Sequence, residues 1–266
     1  MTSVLKVDIV RVDVSAGKAQ KTTDYVAEEK PLHILLNRTR YVTIFCSPSN
    51  LKELAVGHAI SEGIVKSIKE IERIDLKEEE GVCRINLQSD VRIDERLKLS
   101  QHFSRVIFSA CGSSSPYQPS LGLGKIQSDL KVKAEIVSNC VNRLNFMAET
   151  FRKTGGVHVG AIYKSDGTLV AFAEDIGRHN AVDKVIGACA LKGIELGECF
   201  LALSGRLTGD IVLKAARVGL PIVASLAAAI DSGITIASDA NLTLVGFVRG
   251  KRMNIYTYPN RILLEG

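Results

Sequence analysis

None of the six cysteines, Cys46, Cys83, Cys111, Cys140, Cys189 and Cys199, stands in a CxxC pair. A structural zinc site needs four clustered ligands and is not written here, so no intrinsic zinc is expected. In a reducing compartment disulfides are not expected either. Aromatic residues make up 5% of the chain, too few for a nucleic-acid stacking platform. The net charge of +5 is too mild and too evenly spread for duplex DNA, but it suits a pocket for a phosphate-bearing small molecule. No apolar run reaches the roughly 18 residues of a membrane span. Residues 1–8 lack a basic stretch followed by an apolar one, which makes the cytoplasm the expected location.

What is present is the composition of a folded globular protein: 266 residues, 46% apolar and 24% charged. The first hundred residues read mostly as strands. Residues 7–14 alternate apolar and polar, and 32–36 with 41–46 make a hairpin. Asn50, with Glu53 three residues on, reads as a cap for a helix ending near Gly63. A second hairpin, 73–76 with 82–87, turns through the acidic run 78–80, read as a solvated turn. Residues 106–108 are a short strand candidate leading into Cys111, and 111–125 are a small, polar, Gly/Pro-rich segment read as a mobile loop.

From Ala134 the pattern becomes helical, with one apolar face running to Phe151 and Gly155-Gly156 as the stop. Strands at 157–163 and 168–173 follow, then a helix from Asn180 to Leu191. Strands at 199–203, 222–224, 242–248 and 253–258 alternate with helices at 210–218 and near 230–239. Such alternation implies a layered α/β domain. Cys140 and Cys189 fall on apolar helix faces, and Cys46, Cys83 and Cys199 in strands, so all five read as core. Cys111 differs, with Gly112 beside it in a loop. It is either an inert thiol or a nucleophile whose pKa neighbouring backbone N–H groups could lower.

Three loops carry charge or hydroxyls. In 174–179, Arg178 could hold a phosphate and His179 could shuttle a proton; the same charges could equally cap the next helix. In 204–209 a strand ends, small residues follow and a helix begins, an arrangement whose free N–H groups bind anions. Ser204, Gly205, Arg206 and Thr208 belong to it, and Ser225 ends the next strand in the same way. The spacing is not that of a P-loop. Arg249, Gly250, Lys251 and Arg252 form a basic turn, either solvated or facing a ligand.

The sequence resembles the FdhD family of formate dehydrogenase accessory sulfurtransferases. The stretches that carry the resemblance are SPSNLKELAVGHAISEGIV (47–65), TGGVHVGAIY (154–163), EDIGRHNAVDKVIG (174–187), SGRLTGDIVLKAARVGLPIVAS (204–225) and NLTLVGFVRG (241–250). The resemblance implies a layered αβα domain over 105–266, similar to the cytidine deaminase fold, behind a β-rich N-terminal subdomain over 1–104. It implies a homodimeric sulfur carrier, loaded with persulfide sulfur by a cysteine desulfurase. The sulfur then passes to the molybdenum cofactor, bis-molybdopterin guanine dinucleotide, before that cofactor enters formate dehydrogenase. In the family the sulfur-carrying cysteine opens a Cys-Gly-x-Cys element. Cys111-Gly112 matches its first half, and Ser114 stands where the second cysteine is usual. One thiol suffices for transfer, so Cys111 is expected to carry sulfur alone. Phe247, Val248, Arg249, Gly250, Lys251 and Arg252 match the family's cofactor-binding stretch.

A zinc deaminase needs His-x-Glu and a later Pro-Cys-x-x-Cys. His158 is followed by Val159-Gly160, and this reading is rejected. A chaperone that binds the pterin cofactor without moving sulfur is the alternative, to which Ser114 lends weight.

Overall fold

The computed structural model describes residues 4–93, 96 and 123–264. Cys111, Gly112, Ser114, the strand candidate at 106–108 and the expected boundary at 104/105 lie outside the described residues.

Strands β1 (Val4–Asp13) and β2 (Lys18–Ala27) form a two-stranded antiparallel sheet. A four-stranded sheet follows in the order β4-β3-β6-β5, from β3 (Lys30–Leu36), β4 (Thr39–Cys46), β5 (Ile71–Lys77) and β6 (Val82–Leu87). Its inner face alternates as strand geometry requires: Leu32, Ile34 and Leu36, with Cys83, Ile85 and Leu87, pack on helix α1 (Leu51–Ser61).

The second part is a six-stranded sheet in the order β13-β12-β11-β10-β8-β9. Its strands are β8 (His158–Lys164), β9 (Leu169–Asp175), β10 (Cys199–Leu203), β11 (Ile222–Ser225), β12 (Thr243–Arg249) and β13 (Arg252–Thr257). A short parallel pair, β7 (Val132–Lys133) and β14 (Ile262–Leu263), lies outside it. Period-two alternation gives each face its own core. Ile162, Leu201, Val223 and Leu244 pack under helices α4 (Arg178–Leu191), α5 (Gly209–Arg217) and α6 (Asp231–Asp239). Ala161, Phe200, Ala202, Ala224 and Val245 pack under α2 (Ala134–Met147). The result is the expected mixed α/β layering with a β-rich N-terminal part. Cys46, Cys83, Cys140, Cys189 and Cys199 are all buried, as read from their patterns.

Four local readings are corrected. β2, rich in Lys, Gln and Thr, is a strand that no apolar alternation announces. Asn50 precedes α1 in a left-handed conformation (φ 52°), and its side chain makes no capping hydrogen bond. The helical stretch to Thr154 is two helices, α2 and α3 (Glu149–Thr154), broken at Ala148 where ψ is 99°. Helix α4 begins at Arg178 rather than Asn180, which places Arg178 and His179 in its first turn.

The two parts meet where α1 crosses α4 without side chains between them. A Cβ on Gly57 would sit 1.7 Å from the carbonyl oxygen of Asp183, and one on Gly187 would sit 1.9 Å from that of Glu53. Beside the crossing, Lys214 of α5 reaches Asp183 at 2.9 Å and Glu62 at 2.6 Å. Ser61 Oγ donates to Asp183 Oδ1 at 2.6 Å. Burial alone would raise both carboxyls. The Lys214 ammonium, with His58, reverses this and holds both below the usual carboxylate range, Glu62 at about 2.

Gly187→Ala should force α1 from α4 and cost about 3 kcal/mol or more, read from the urea midpoint. Carboxyls depressed in the folded state stabilise it above their ordinary range, and that contribution is lost as pH falls through their folded values. Lys214→Met should therefore cost about 3–5 kcal/mol at neutral pH by removing the buried ammonium between two carboxylates, which leaves Asp183 with His58 and Glu62 with Arg217 at 3.5 Å. The deficit should shrink as the pH is lowered through the ordinary carboxyl range, in urea unfolding at pH 7 and pH 4.

Candidate functional site

Strand direction decides where the chemistry collects. β10, β11 and β12 run parallel, so their carboxyl ends share one edge of the sheet. β8 and β13 lie antiparallel to their neighbours and begin at that edge, and β9 ends there, with His158 paired to Asp175. Segments 157–158, 175–179, 204–208, 225–230 and 247–252 are thereby brought together from distant parts of the chain. Ligands in open α/β sheets bind at such an edge.

Each segment is braced from behind. Ser204 exchanges two hydrogen bonds with Val159: its N–H donates to the Val159 carbonyl at 3.0 Å, and its Oγ accepts the Val159 N–H at 2.9 Å. Ser225 is fully buried and donates to the carbonyls of Leu203 and Gly205, at 3.1 and 2.6 Å, while its Oγ accepts the Ala227 N–H. Its hydroxyl shapes the 204–206 turn and is not free for a ligand. Val248 is 0% exposed, packed beneath α2. Ser225 and Val248 thus act on the site from beneath, a correction to their reading as ligand contacts. Phe247 takes a left-handed backbone (φ 51°) at a bulge in β12, held by its N–H to the Ala227 carbonyl at 2.9 Å. The Arg249 guanidinium lies 5.4 Å from the centroid of its ring. Gly250 (φ 57°) and Lys251 close the turn, and Arg249, Lys251 and Arg252 are exposed.

Gly205 is the hinge of the charged cluster. A Cβ there would meet Arg178 Cβ at 3.0 Å and His158 Nδ1 at 3.5 Å, so only glycine lets the three segments close up. Arg178 is half-buried and its Nε has no hydrogen-bond partner. Burial, then the charges of Arg178, His179 and Arg206, push the His158 imidazole below its usual range, which keeps it neutral. Arg206 is exposed. His179 Nε2 binds Asp210 Oδ2, and Thr208 Oγ1 donates to Asp210 Oδ1. Burial would raise the Asp210 carboxyl, but His179, Thr208 and Arg178 hold it well below the usual range. The ionised Asp210 fixes the orientation of the His179 ring through Nε2.

A cleft of about 570 Å³ opens along this edge, lined by residues of α2, α3, the 155–158 segment, Ser204, Leu226, Ala227 and Arg249. Of the expected site residues, Ser204 and Arg249 line it, and Gly205 and Arg178 abut His158 on its wall. Thr208 and His179 belong to the Asp210 cluster. Asp210, His158 and Asn145 were not singled out from sequence. Asp210 could have been found as the acidic residue in the first turn after the 204–209 loop, and His158 as the first residue of a strand beginning at the charged edge. Among the described residues, no group of three or more His, Cys, Asp or Glu side chains is placed to hold a metal ion.

The arginines and neutral His158 suit an anion. Its charge would offset theirs and raise the His158 pKa, so anion binding should take up protons and tighten as pH falls from 7. A titration of the His158 ring protons by NMR should give a midpoint below about 6.5 that moves up with inorganic pyrophosphate. No movement would place the anion elsewhere.

The chain is similar to known proteins over nearly its whole length. The FdhD/NarQ family model matches residues 27–263. A protein of Shouchella clausii named sulfur carrier protein FdhD is 35% identical over 255 residues, 94% of each chain. The Bacillus subtilis protein of the same name is 34% identical, covering 92% of this chain and 93% of its own. A crystal structure described as a candidate formate dehydrogenase accessory protein from Desulfotalea psychrophila superposes with a TM-score of 0.79 at 25% identity, over 98% of this chain and 100% of that one. With a family model spanning both sheets and the charged edge, the chain belongs to the FdhD/NarQ family.

Proposed function

We propose that the chain is a sulfurtransferase that carries sulfur for formate dehydrogenase, acting as a homodimer in the cytoplasm. The observation that carries this reading is the coincidence of two facts. Relatives named sulfur carrier proteins match it across more than nine-tenths of its length. The edge those matches span holds a cleft with an anion-seeking set of side chains.

The cargo is the molybdenum cofactor, bis-molybdopterin guanine dinucleotide, taken as substrate. Two features of the site fit such a molecule. Arg178 Nε is a buried donor without a partner, and Asn145 Oδ1 is a buried acceptor without one. Arg178, Arg206 and Arg249, with Lys251 and Arg252 on the turn, supply the positive charge that phosphates require. Ser204 and Gly205 shape the turn between them, and Phe247 backs Arg249. His179, oriented by Asp210, is the proton shuttle of this reading.

Cys111 is the sulfur carrier in this reading. Its thiolate attacks the outer sulfur of a persulfide on a cysteine desulfurase, and the desulfurase cysteine leaves as thiolate. Cys111 then holds the persulfide; in passing its outer sulfur on, Cys111 would leave as thiolate, with the two electrons that bring the sulfur to the sulfide level supplied by a reduced metal centre of the substrate cofactor. With Ser114 in place of a second cysteine, no neighbouring thiol can resolve the persulfide into a disulfide.

Incubation with a cysteine desulfurase and cysteine should add about 32 Da, one sulfur atom, to Cys111 in an intact-mass and peptide-mapping experiment. The adduct should vanish in Cys111→Ser and on thiol reduction. An adduct that survives in Cys111→Ser overturns the assignment. No adduct on the native chain, with cofactor binding retained, turns the reading to a chaperone that binds the cofactor without sulfur transfer.

A further inference from the structure

Helix α2 presents an outer face of Asn139, Arg143 and Phe146 to solvent. Phe146 is 77% exposed, the most exposed large apolar side chain in any described helix or strand. A single exposed aliphatic group needs no explanation. A whole aromatic ring leaves far more apolar surface in water. Arg143, three residues before it, is its neighbour on the helix surface. The basic turn is fixed alongside. Asn142 Nδ2 donates to the Gly250 carbonyl at 2.9 Å, and its Oδ1 accepts the Gly250 N–H at 3.1 Å. Ser138 Oγ donates to the same carbonyl at 2.5 Å. Asn142 and Phe146 are one helical turn apart, so the turn that carries Arg249, Lys251 and Arg252 lies beside the ring.

The positive charge here is uncompensated. Among the described residues, Arg143, Arg249, Lys251 and Arg252 enter no ion pair, and the nearby Glu149 is spent on Lys153 at 2.6 Å. Glu135, the one acid of α2, lies two turns from Arg143 toward the other end of the helix. Four cations around one ring fit a protein surface with carboxylates around an apolar pocket. The buried ring would supply the hold, and the charges the steering and orientation. A single-stranded nucleic acid would want more than one stacking ring. A bilayer would want an apolar row along the helix, where Asn139 and Arg143 stand instead. Position narrows the partner further. Asn145, next to Phe146, and Arg249 both line the cleft, so this face borders its mouth. A protein that draws a bound molecule out of the cleft must seat itself there.

We propose that the Phe146 face is the docking surface for the protein that receives the cargo, the cofactor-free formate dehydrogenase, and that this partner meets it with an acidic rim around an apolar pocket. The inference rests on the cleft being the cargo site. The sulfur donor acts on Cys111 and is not assigned to this face.

Surface plasmon resonance of the full chain against cofactor-free formate dehydrogenase tests it. The native chain should bind, and association should slow as salt rises from about 0.05 to about 0.5 M. Phe146→Ala should weaken binding on the order of tenfold or more, chiefly through faster dissociation. Arg143→Glu should slow association on the order of tenfold at low salt, a difference that closes at high salt. Both side chains are exposed, and an unchanged urea midpoint confirms that each variant is folded. Neither lines the cleft, so affinity for inorganic pyrophosphate and loading of Cys111 by a cysteine desulfurase should stay at the native level. Three results overturn the proposal. The native chain does not bind the dehydrogenase, or both variants bind it as the native chain does. In the third, Cys111 loading falls in the variants while dehydrogenase binding holds, which gives the face to the sulfur donor. Pyrophosphate that fails to bind the native chain sinks the cleft reading beneath the proposal, a failure visible apart from these three.

Discussion

Asp175 and Lys184 meet at 2.7 Å with neither side chain exposed to solvent. Two fully desolvated charges are tolerable only when their remaining hydrogen-bonding capacity is filled, and here it is filled from both parts of the molecule. Asp175 accepts N–H groups from Gly177 and Ser47 and the amide of Asn180. Lys184 donates to the carbonyls of Ser47 and Glu174, at 3.1 and 3.2 Å. Asn180 also donates to the Phe45 carbonyl. One ion pair thereby ties the end of β4, the end of β9 and the first turns of α4. Those first turns are where Arg178 and His179 emerge. Moving the pair would leave a buried charge unmatched, so the entry into α4, and with it the charged edge, has one available geometry.

The same economy runs through the rest of the edge. Side chains that hold the shape are bonded on several sides: Ser225, buried, under the 204–206 turn, and Asn142 and Asp210, half-buried, under the basic turn and behind His179. Among the described residues, the buried side-chain polar atoms without a partner are Asn145 Oδ1 and Arg178 Nε, and their residues line or flank the cleft. Pre-organisation of this kind suits the binding of a phosphate-bearing molecule. Burial first, and then the neighbouring positive charges, holds the His158 imidazole below its usual range beside the arginines. The membership of the FdhD/NarQ family and the chemistry of the edge point to the same kind of work.

Much of this was legible in the residues. Strands with one buried face, such as β3 and β6, and helices closed by glycine, such as α5 before Gly219, announce themselves because burial writes a period into the sequence. The loops at 174–179, 204–209 and 249–252 were found by the same logic, as charged or small-residue interruptions at strand ends. β2 was missed because its side chains are mostly exposed and carry no such period. The start of α4 was misplaced because the Asp175–Lys184 pair, not a local cap, sets it. Ser225 was read as a contact because it ends a strand at the ligand edge, and Val248 because it lies in the family's cofactor-binding stretch; strand ends and family stretches alike hold residues that support a site along with those that touch a ligand.

By itself, the sequence determined the element types, the two-part layering and the five core thiols, and it singled out Cys111 as the thiol of a different kind. These depend on local periodicity and composition, which neighbouring residues carry. Only the tertiary structure decided which polar atoms are left open. Asn142 and Asn145 are the same residue type on one helix. The first is satisfied by a turn 108 positions away, and the second is not satisfied at all. Whether a buried polar group has a partner is a property of the assembled neighbourhood, so it exists only once the strands have brought their ends to one edge.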